Sequence, residues 1–482
     1  MKLKLISSLM FSIALSSMAF AETPSLPTAQ SSSSNTMSVF DSKIYEGLFG
    51  TKEMREIYND QRLISYWLKF EAALANAQAK HGLIPEEAAQ EISKACVLDN
   101  VDIQKLTEAT RKVGRPVDGL VKQLRALNPT VKAYIHLGST TQDVMDTATV
   151  LQMMDAIDVI EKQLTKLILR LADLSEKYKS TPMVSRTNGQ DAIPTTFGML
   201  TASYMAELNR NLSRMREAKE RSRVGQLGSA VGTLSSLGPK ALEIQKSALK
   251  NLGLKVPDMS WNASRDNYAE VVQVLALING TLGRVATDIN LWSRTADNSV
   301  NEGEGGASST MPQKRNPRAS EFLGGLAAMS RIRASGALEM LNQSETRQGA
   351  PWISEWSTIP EMFMTTSTAL DRANRLFDKI IVKPEVMKAR FNDAKQFVMA
   401  EAVQQSLASK VGLGQAHSLV VQAIKKTSKD TDFRTVLVND PEIKKYMNEK
   451  EIEYALEPTN YLGQASELVN RAVRIARSNT LK

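Results

Sequence analysis

Apolar residues return every three or four positions over most of this chain, with charged residues filling the faces between them. Over residues 149–179, Leu151, Met154, Ile157, Ile160, Leu164, Leu167, Leu171, Leu174 and Tyr178 form such a stripe, interrupted by Glu161, Lys166, Arg170 and Glu176. A spacing that tracks 3.6 residues per turn predicts one long amphipathic helix. The same period predicts helices over 197–221 and 268–295, the latter apolar on more than one face. Such a helix must be covered on several sides, as in a bundle whose core continues across a subunit interface, although a monomeric bundle carries the same periodicity. No alternation of period two is sustained and no internal repeat is evident, so the expected fold class is all-α with little strand. Three regions are expected: an N-terminal helical region over 41–144, a long-helix region over 145–385, and a C-terminal helical region over 386–482. Pro384 and Gly412-Leu413-Gly414 punctuate the last part.

The first 40 residues fall outside this pattern. Lys2 and Lys4 precede an apolar run from Leu5 to about Phe20, and Ala19-Phe20-Ala21 supplies small residues for signal peptidase. Residues 1–21 therefore read as a signal peptide cleaved after Ala21, and the protein as exported, in the periplasm. The run is too short and too serine-rich for a stable membrane anchor. Residues 22–40, with Ser31 to Ser34 in a row and prolines at 24 and 27, read as a disordered leader.

Composition narrows the chemistry. Cys96 is the only cysteine of 482 residues, so no intramolecular disulfide can form and packing must supply stability. The net charge of +8 suits an anionic substrate, but Lys and Arg are dispersed, which argues against nucleic acid. Only His81, His136 and His417 are present, without a Cys/His cluster, and neither a metal nor another cofactor is expected.

The densest chemistry lies in Gly305-Gly306-Ala307-Ser308-Ser309-Thr310-Met311-Pro312-Gln313-Lys314-Arg315-Asn316-Pro317, with Glu321 just beyond. Glycines permit a loop to close, serine hydroxyls exchange protons, and the cations can hold a carboxylate or developing negative charge. A solvated surface loop has the same residue types. The pattern Ser308-x-x-Met311-x-x-Lys314-x-Asn316, however, strongly resembles the signature of the fumarase/aspartase superfamily.

Four other segments extend the resemblance. His136-Leu137-Gly138-Ser139-Thr140-Thr141-Gln142-Asp143 offers neutral hydrogen-bonding groups ahead of a helix, where they could equally act as caps. It resembles the carboxylate-binding HxGxTSxD motif of adenylosuccinate lyases and 3-carboxy-cis,cis-muconate cycloisomerases. Residues 185–198, containing Arg186-Thr187-Asn188-Gly189-Gln190, resemble the RTHxQxAxPTTFG stretch, with Asn188 where lyases of the superfamily commonly place histidine. The Gly-rich run 225–233 and Trp261-Asn262-Ala263-Ser264-Arg265-Asp266 resemble a cycloisomerase-like turn and WHxxRD motif, with Asn262 replacing His. Glu345-Thr346-Arg347-Gln348-Gly349-Ala350-Pro351-Trp352-Ile353-Ser354-Glu355-Trp356 is similar to HERxxGxWxxEW, with Glu345-Thr346 replacing His-Glu. Likeness begins near Tyr66 and covers nearly all of the chain beyond the leader.

The resemblance implies a fumarase/aspartase-like fold whose long central helices form the core of a homotetramer, each active site being assembled from three chains. It implies a lyase or cycloisomerase of the 3-carboxymuconate cycloisomerase/adenylosuccinate lyase branch acting on a small polycarboxylate. Ser308 would remove a proton α to a carboxylate, after which a C–N or C–O bond breaks; Lys314 would assist, Glu321 would orient the loop, and His136 is a candidate acid. Substrate contacts are expected from Ser139, Thr140, Thr141, Gln142, Thr187, Asn188, Gln190, Ser309, Met311, Asn316, Arg265 and Arg347. Asparagine at 188 cannot deliver a proton near neutral pH. The alternatives are an adenylosuccinate lyase-like C–N lyase, for which an exported protein is a poor match to a cytosolic nucleotide substrate, and a catalytically silent anion-binding homologue.

Overall fold

The structure, a computed structural model, describes residues 38–303, 305–393 and 397–481. The expected signal peptide and most of the expected leader lie outside the described residues. Phe40, assigned to the leader, is buried against Phe49 and beneath Arg333, so packed chain begins before residue 41.

Five helices dominate: Thr141–Lys177, Phe197–Ser222, Asp266–Trp292, Arg318–Glu339 and Gly349–Lys379. The apolar period placed the first three to within a few residues, except that the first begins earlier. Thr140 caps it, its backbone N–H bonding Asp143 Oδ2 at 3.1 Å. Leu164, Leu167, Ile168 and Leu171 meet Leu208, Leu212, Leu275 and Ile278 in a core with no solvent access. The helix Asp266–Trp292 is long and apolar enough to cross a membrane, but most of it is buried in this bundle.

The bundle has two ends. At one, Arg265 beside the start of Asp266–Trp292 bonds Asp146 near the start of Thr141–Lys177 and Glu355 near the start of Gly349–Lys379. At the other, Phe197 packs against Tyr178 and Trp292, Asn290 bonds Ser320, and Arg170 bonds the Phe377 carbonyl. The 27 residues of Asp266–Trp292 separate these ends by about 40 Å at 1.5 Å per residue.

Strand content is small but not negligible. Strands β1 (Pro182–Thr187) and β2 (Gln190–Thr196) form an antiparallel hairpin, closed by the pair Thr187 and Gln190. Its two-residue turn is Asn188-Gly189, with φ of 53° and 77°. Two successive positive φ values define the type I′ geometry that Asn-Gly favours. Short pairs β3 (Val300–Asn301) with β6 (Ile381–Val382) and β4 (Gly306–Ala307) with β5 (Arg315–Asn316) fix the region around Ser308.

The N-terminal helices share one continuous core with the bundle, and a second core centred on Val403, Leu407, Phe433, Leu437 and Ile452 forms the C-terminal region. The last helix, Ala465–Thr480, does not join that second core as the boundary at 386 supposes. Its buried stripe Val469, Val473 and Ala476 belongs to the bundle core.

Candidate active site

Three motif segments meet at the Arg265 end. Arg347 donates to Thr140 Oγ1 at 3.2 Å and to the Ala230 carbonyl, tying the 345–356 segment to the first helix cap and to the Gly-rich run. Asp143 accepts from Gly228 N at 2.9 Å and Ser229 N at 3.0 Å, which holds that run against the same cap. Ser139, Thr140 and Thr141 are half-buried here and Arg347 is exposed, so hydroxyls and a guanidinium share one rim.

His136 sits at this rim with φ of 62°. Its Nδ1 lies 2.6 Å from Glu71 Oε1 and 3.0 Å from Ser139 Oγ. Burial lowers its pKa, but the charge and hydrogen bond of Glu71 outweigh burial, and the net shift is upward. A carboxylate that holds Nδ1–H directs proton exchange to Nε2. In sequence Glu71 is a carboxylate between Phe70 and Leu74 on one helix, and only the fold shows that it is buried against His136.

Two residues expected at the substrate lie in the interior instead. Gln142 is buried and donates to Asp146 Oδ2 and the Asn262 carbonyl. Arg265 has a fully buried side chain that forms two forks, one on Asp146 at 2.8 and 3.0 Å and one on Glu355. With four of its five N–H donors given to two buried carboxylates, this guanidinium is committed to the interior rather than to a ligand. Both residues position the rim from beneath. Asn262 is likewise interior, accepting from Gln226 Nε2 at 2.7 Å.

The other two segments lie at the opposite end. Thr187, Asn188 and Gln190 are exposed at the hairpin tip, and Arg186 anchors the hairpin to Asp297 at 3.0 Å. The loop Ser308–Lys314 projects from the β4–β5 pair. Ser308 Oγ accepts from Met311 N at 3.0 Å and Thr310 N at 3.3 Å. Ser309, Met311 and Lys314 are exposed and Asn316 is half-buried in β5. Glu321, expected to orient the loop, pairs with Arg318 at 2.6 Å.

The loop is anchored by a carboxylate that lies outside every motif segment. Glu302, buried, accepts from Ala319 N and Ser320 N, both at 2.9 Å, and so caps the Arg318–Glu339 helix. Gly303 follows at φ of 77°, and a Cβ there would stand 2.2 Å from the Lys379 carbonyl. The loop is thus hinged between a buried carboxylate and a helix start.

Known proteins resemble the chain over most of its length. The family model described as Lyase matches residues 49–331, and that described as Adenylosuccinate lyase C-terminus matches residues 396–472. The chain is 35% identical over 439 residues to the 3-carboxy-cis,cis-muconate cycloisomerase of Pseudomonas aeruginosa, spanning 89% of this chain and 96% of that protein. It is 35% identical over 431 residues to Trans-aconitate decarboxylase 1 of Mycosarcoma maydis, spanning 88% and 87%. Among solved structures, the 3-carboxy-cis,cis-muconate lactonizing enzyme from Pseudomonas putida superposes with a TM-score of 0.86 at 34% identity, covering 91% of this chain and all of that one.

Proposed function

The chain belongs to the lyase family of the fumarase/aspartase superfamily, and from that premise we propose that it is an exported, homotetrameric enzyme with 3-carboxymuconate cycloisomerase-like chemistry. It removes a proton α to a carboxylate of a small polycarboxylate and breaks, or in reverse makes, a C–O or C–N bond at the β carbon. The observation that carries this reading is the pair of backbone N–H groups on Ser308 Oγ. Hydrogen bonds to the charged form favour it, so these donors support a serine alkoxide able to act as base. Among the described residues Lys314 has no carboxylate partner, which leaves its charge for the substrate or the alkoxide.

Ser308 takes the α proton and becomes a neutral hydroxyl, and the electron pair moves into the carboxylate held by Asn316 and Lys314. Its return forms the double bond and expels the β substituent, which takes its proton from His136. The two ends of the bundle lie about 40 Å apart in one chain, so Ser308 and His136 must come from different copies. Exposed Leu277, Leu291, Ile332 and Leu338 on two central helices support burial against those copies. Asn188 serves the hairpin turn and leaves acid chemistry to others; Thr187 and Gln190 beside it offer hydrogen bonds to the substrate.

Both relatives named above are described as acting on unsaturated polycarboxylates, which supports that substrate class. The match of residues 396–472 to the adenylosuccinate lyase C-terminus favours, as a second reading, C–N rather than C–O cleavage. A panel of muconate-derived, aconitate-like and N-substituted aspartate polycarboxylates, followed by ultraviolet absorbance, should show a double bond gained or lost with at least one. Silence across the panel would favour the anion-binding homologue. For export, intact-mass measurement of periplasmic protein should give a chain starting at Glu22; Met1 retained in a cytosolic fraction would refute it.

A further inference from the structure

Beneath the root of the Ser308 loop lies a cavity of about 240 Å³ between the Arg318–Glu339 and Gly349–Lys379 helices. Among the described residues its wall carries four cationic side chains, Arg318, Arg372, Arg375 and Lys379, and one carboxylate, Glu302. Among the described residues, two of these cations already have carboxylate partners on the exposed side, and Arg372 has none. Glu302 caps the Arg318–Glu339 helix, Glu321 pairs with Arg318, and Asp371 pairs with Arg375 at 2.7 Å.

Arg372 differs from its neighbours. Its guanidinium stacks on Phe322, with Cζ 4.1 Å from the ring centroid. Nε and Nη2 are buried and have no hydrogen-bond acceptor among the described residues. Burial, and then the charge of Arg375, hold its pKa below the usual arginine value against the weaker pull of Asp371. Buried donors left without an acceptor are destabilising, and a planar guanidinium is shaped to bind an oxyanion.

The geometry points to a binding site for a small oxyanion of the inorganic phosphate class at the root of the Ser308 loop, with Arg372 as its principal ligand and Arg375 beside it. This site is separate from the Ser308 hydroxyl. Gly305 and Gly306 form part of its wall, and Arg318 lies so close over Gly306 that a Cβ there would meet it at 2.3 Å. A bound anion would therefore join strand β4, the start of one helix and the C-terminal turns of another, and stiffen the root of the loop.

The test is thermal unfolding of the full chain in inorganic phosphate and in chloride at matched ionic strength. Phosphate should raise the midpoint, and the concentration giving half the rise should increase about tenfold or more in Arg372→Met. Arg347→Met, at the distant rim, should keep the wild-type response. No rise in the wild type, an unchanged response in Arg372→Met, or a response lost in Arg347→Met would each overturn the site. If Arg372→Met does not fold, Arg375→Gln takes its place, because Arg375 is exposed and can be changed without disturbing the core; it should weaken the phosphate response, and an unchanged response would overturn the site.

Discussion

Replacing Ser308 by Ala is expected to lower kcat by about 10²–10⁴-fold, the range for loss of a positioned general base, while ligand affinity stays within a few fold of wild type. The hydroxyl contributes a proton-accepting atom, whereas Asn316, Lys314 and the Arg347 rim contribute the binding charge and hydrogen bonds. Removing Oγ also frees Thr310 N and Met311 N, but both are exposed and water can satisfy them. Stopped-flow or steady-state kinetics with isothermal titration on the same substrate separate the two effects. An unchanged kcat would remove Ser308 from the reaction, and lost binding with lost turnover would make the loop a ligand clamp.

The same variant tests the sharing of sites. His136→Asn removes the proposed acid with a residue that tolerates the left-handed backbone found at this position. Each variant alone should be inactive. Co-assembled in equal amounts, they should recover about a quarter of native sites, as expected when Ser308 and His136 come from different subunits of a closed oligomer. No recovery in mixed oligomers would place both residues in one chain's site.

The long helices were legible because burial on one face repeats with the helical turn, and the Ser308 loop because its residue types are chemically unusual together. The β1–β2 hairpin was missed although Asn188-Gly189 is a strong turn signal. Its flanking strands do not alternate cleanly, since the register shifts between Val184 and Arg186 and the tip is exposed on both faces. At position 188 the left-handed backbone of the turn is itself a reason for asparagine. Arg265 could not be placed from sequence. A lone arginine beside an aspartate reads as a ligand for an anion until its partners are known, and Asp146 and Glu355 lie 119 and 90 residues away. Glu302 was hidden for a similar reason, as its two N–H donors belong to a helix start 17 and 18 residues on.

The second large effect is expected at Arg265. Arg265→Met should cost about 3–5 kcal/mol of stability near pH 8, the range for breaking a buried ion pair from one side. Methionine fills much of the volume but leaves Asp146 and Glu355 buried without their cation. Asp146 keeps the Trp352 Nε1 donor at 3.0 Å and Gln142 Nε2 at 3.1 Å, whereas Glu355 loses both its forked bonds. Burial already pushes Glu355 up to about 7 against the pull of Arg265, and losing that pull raises it further. A carboxyl whose folded pKa lies above its unfolded value binds a proton more readily when folded. Its contribution to stability is therefore present at acid pH and fades as pH rises through the folded value. The deficit of Arg265→Met should accordingly shrink on moving from about pH 8.5 to about pH 6, where a proton can neutralise Glu355. Urea unfolding of variant and wild type at both pH values reads this directly. A deficit that is constant, or larger at pH 6, would mean that the uncompensated carboxylate is not the source of the loss. The rim should suffer with the fold: Asp146 and Glu355 begin the two helices whose caps place Thr140 and Arg347, so turnover surviving in Arg265→Met at full stability would separate the triad from the site above it.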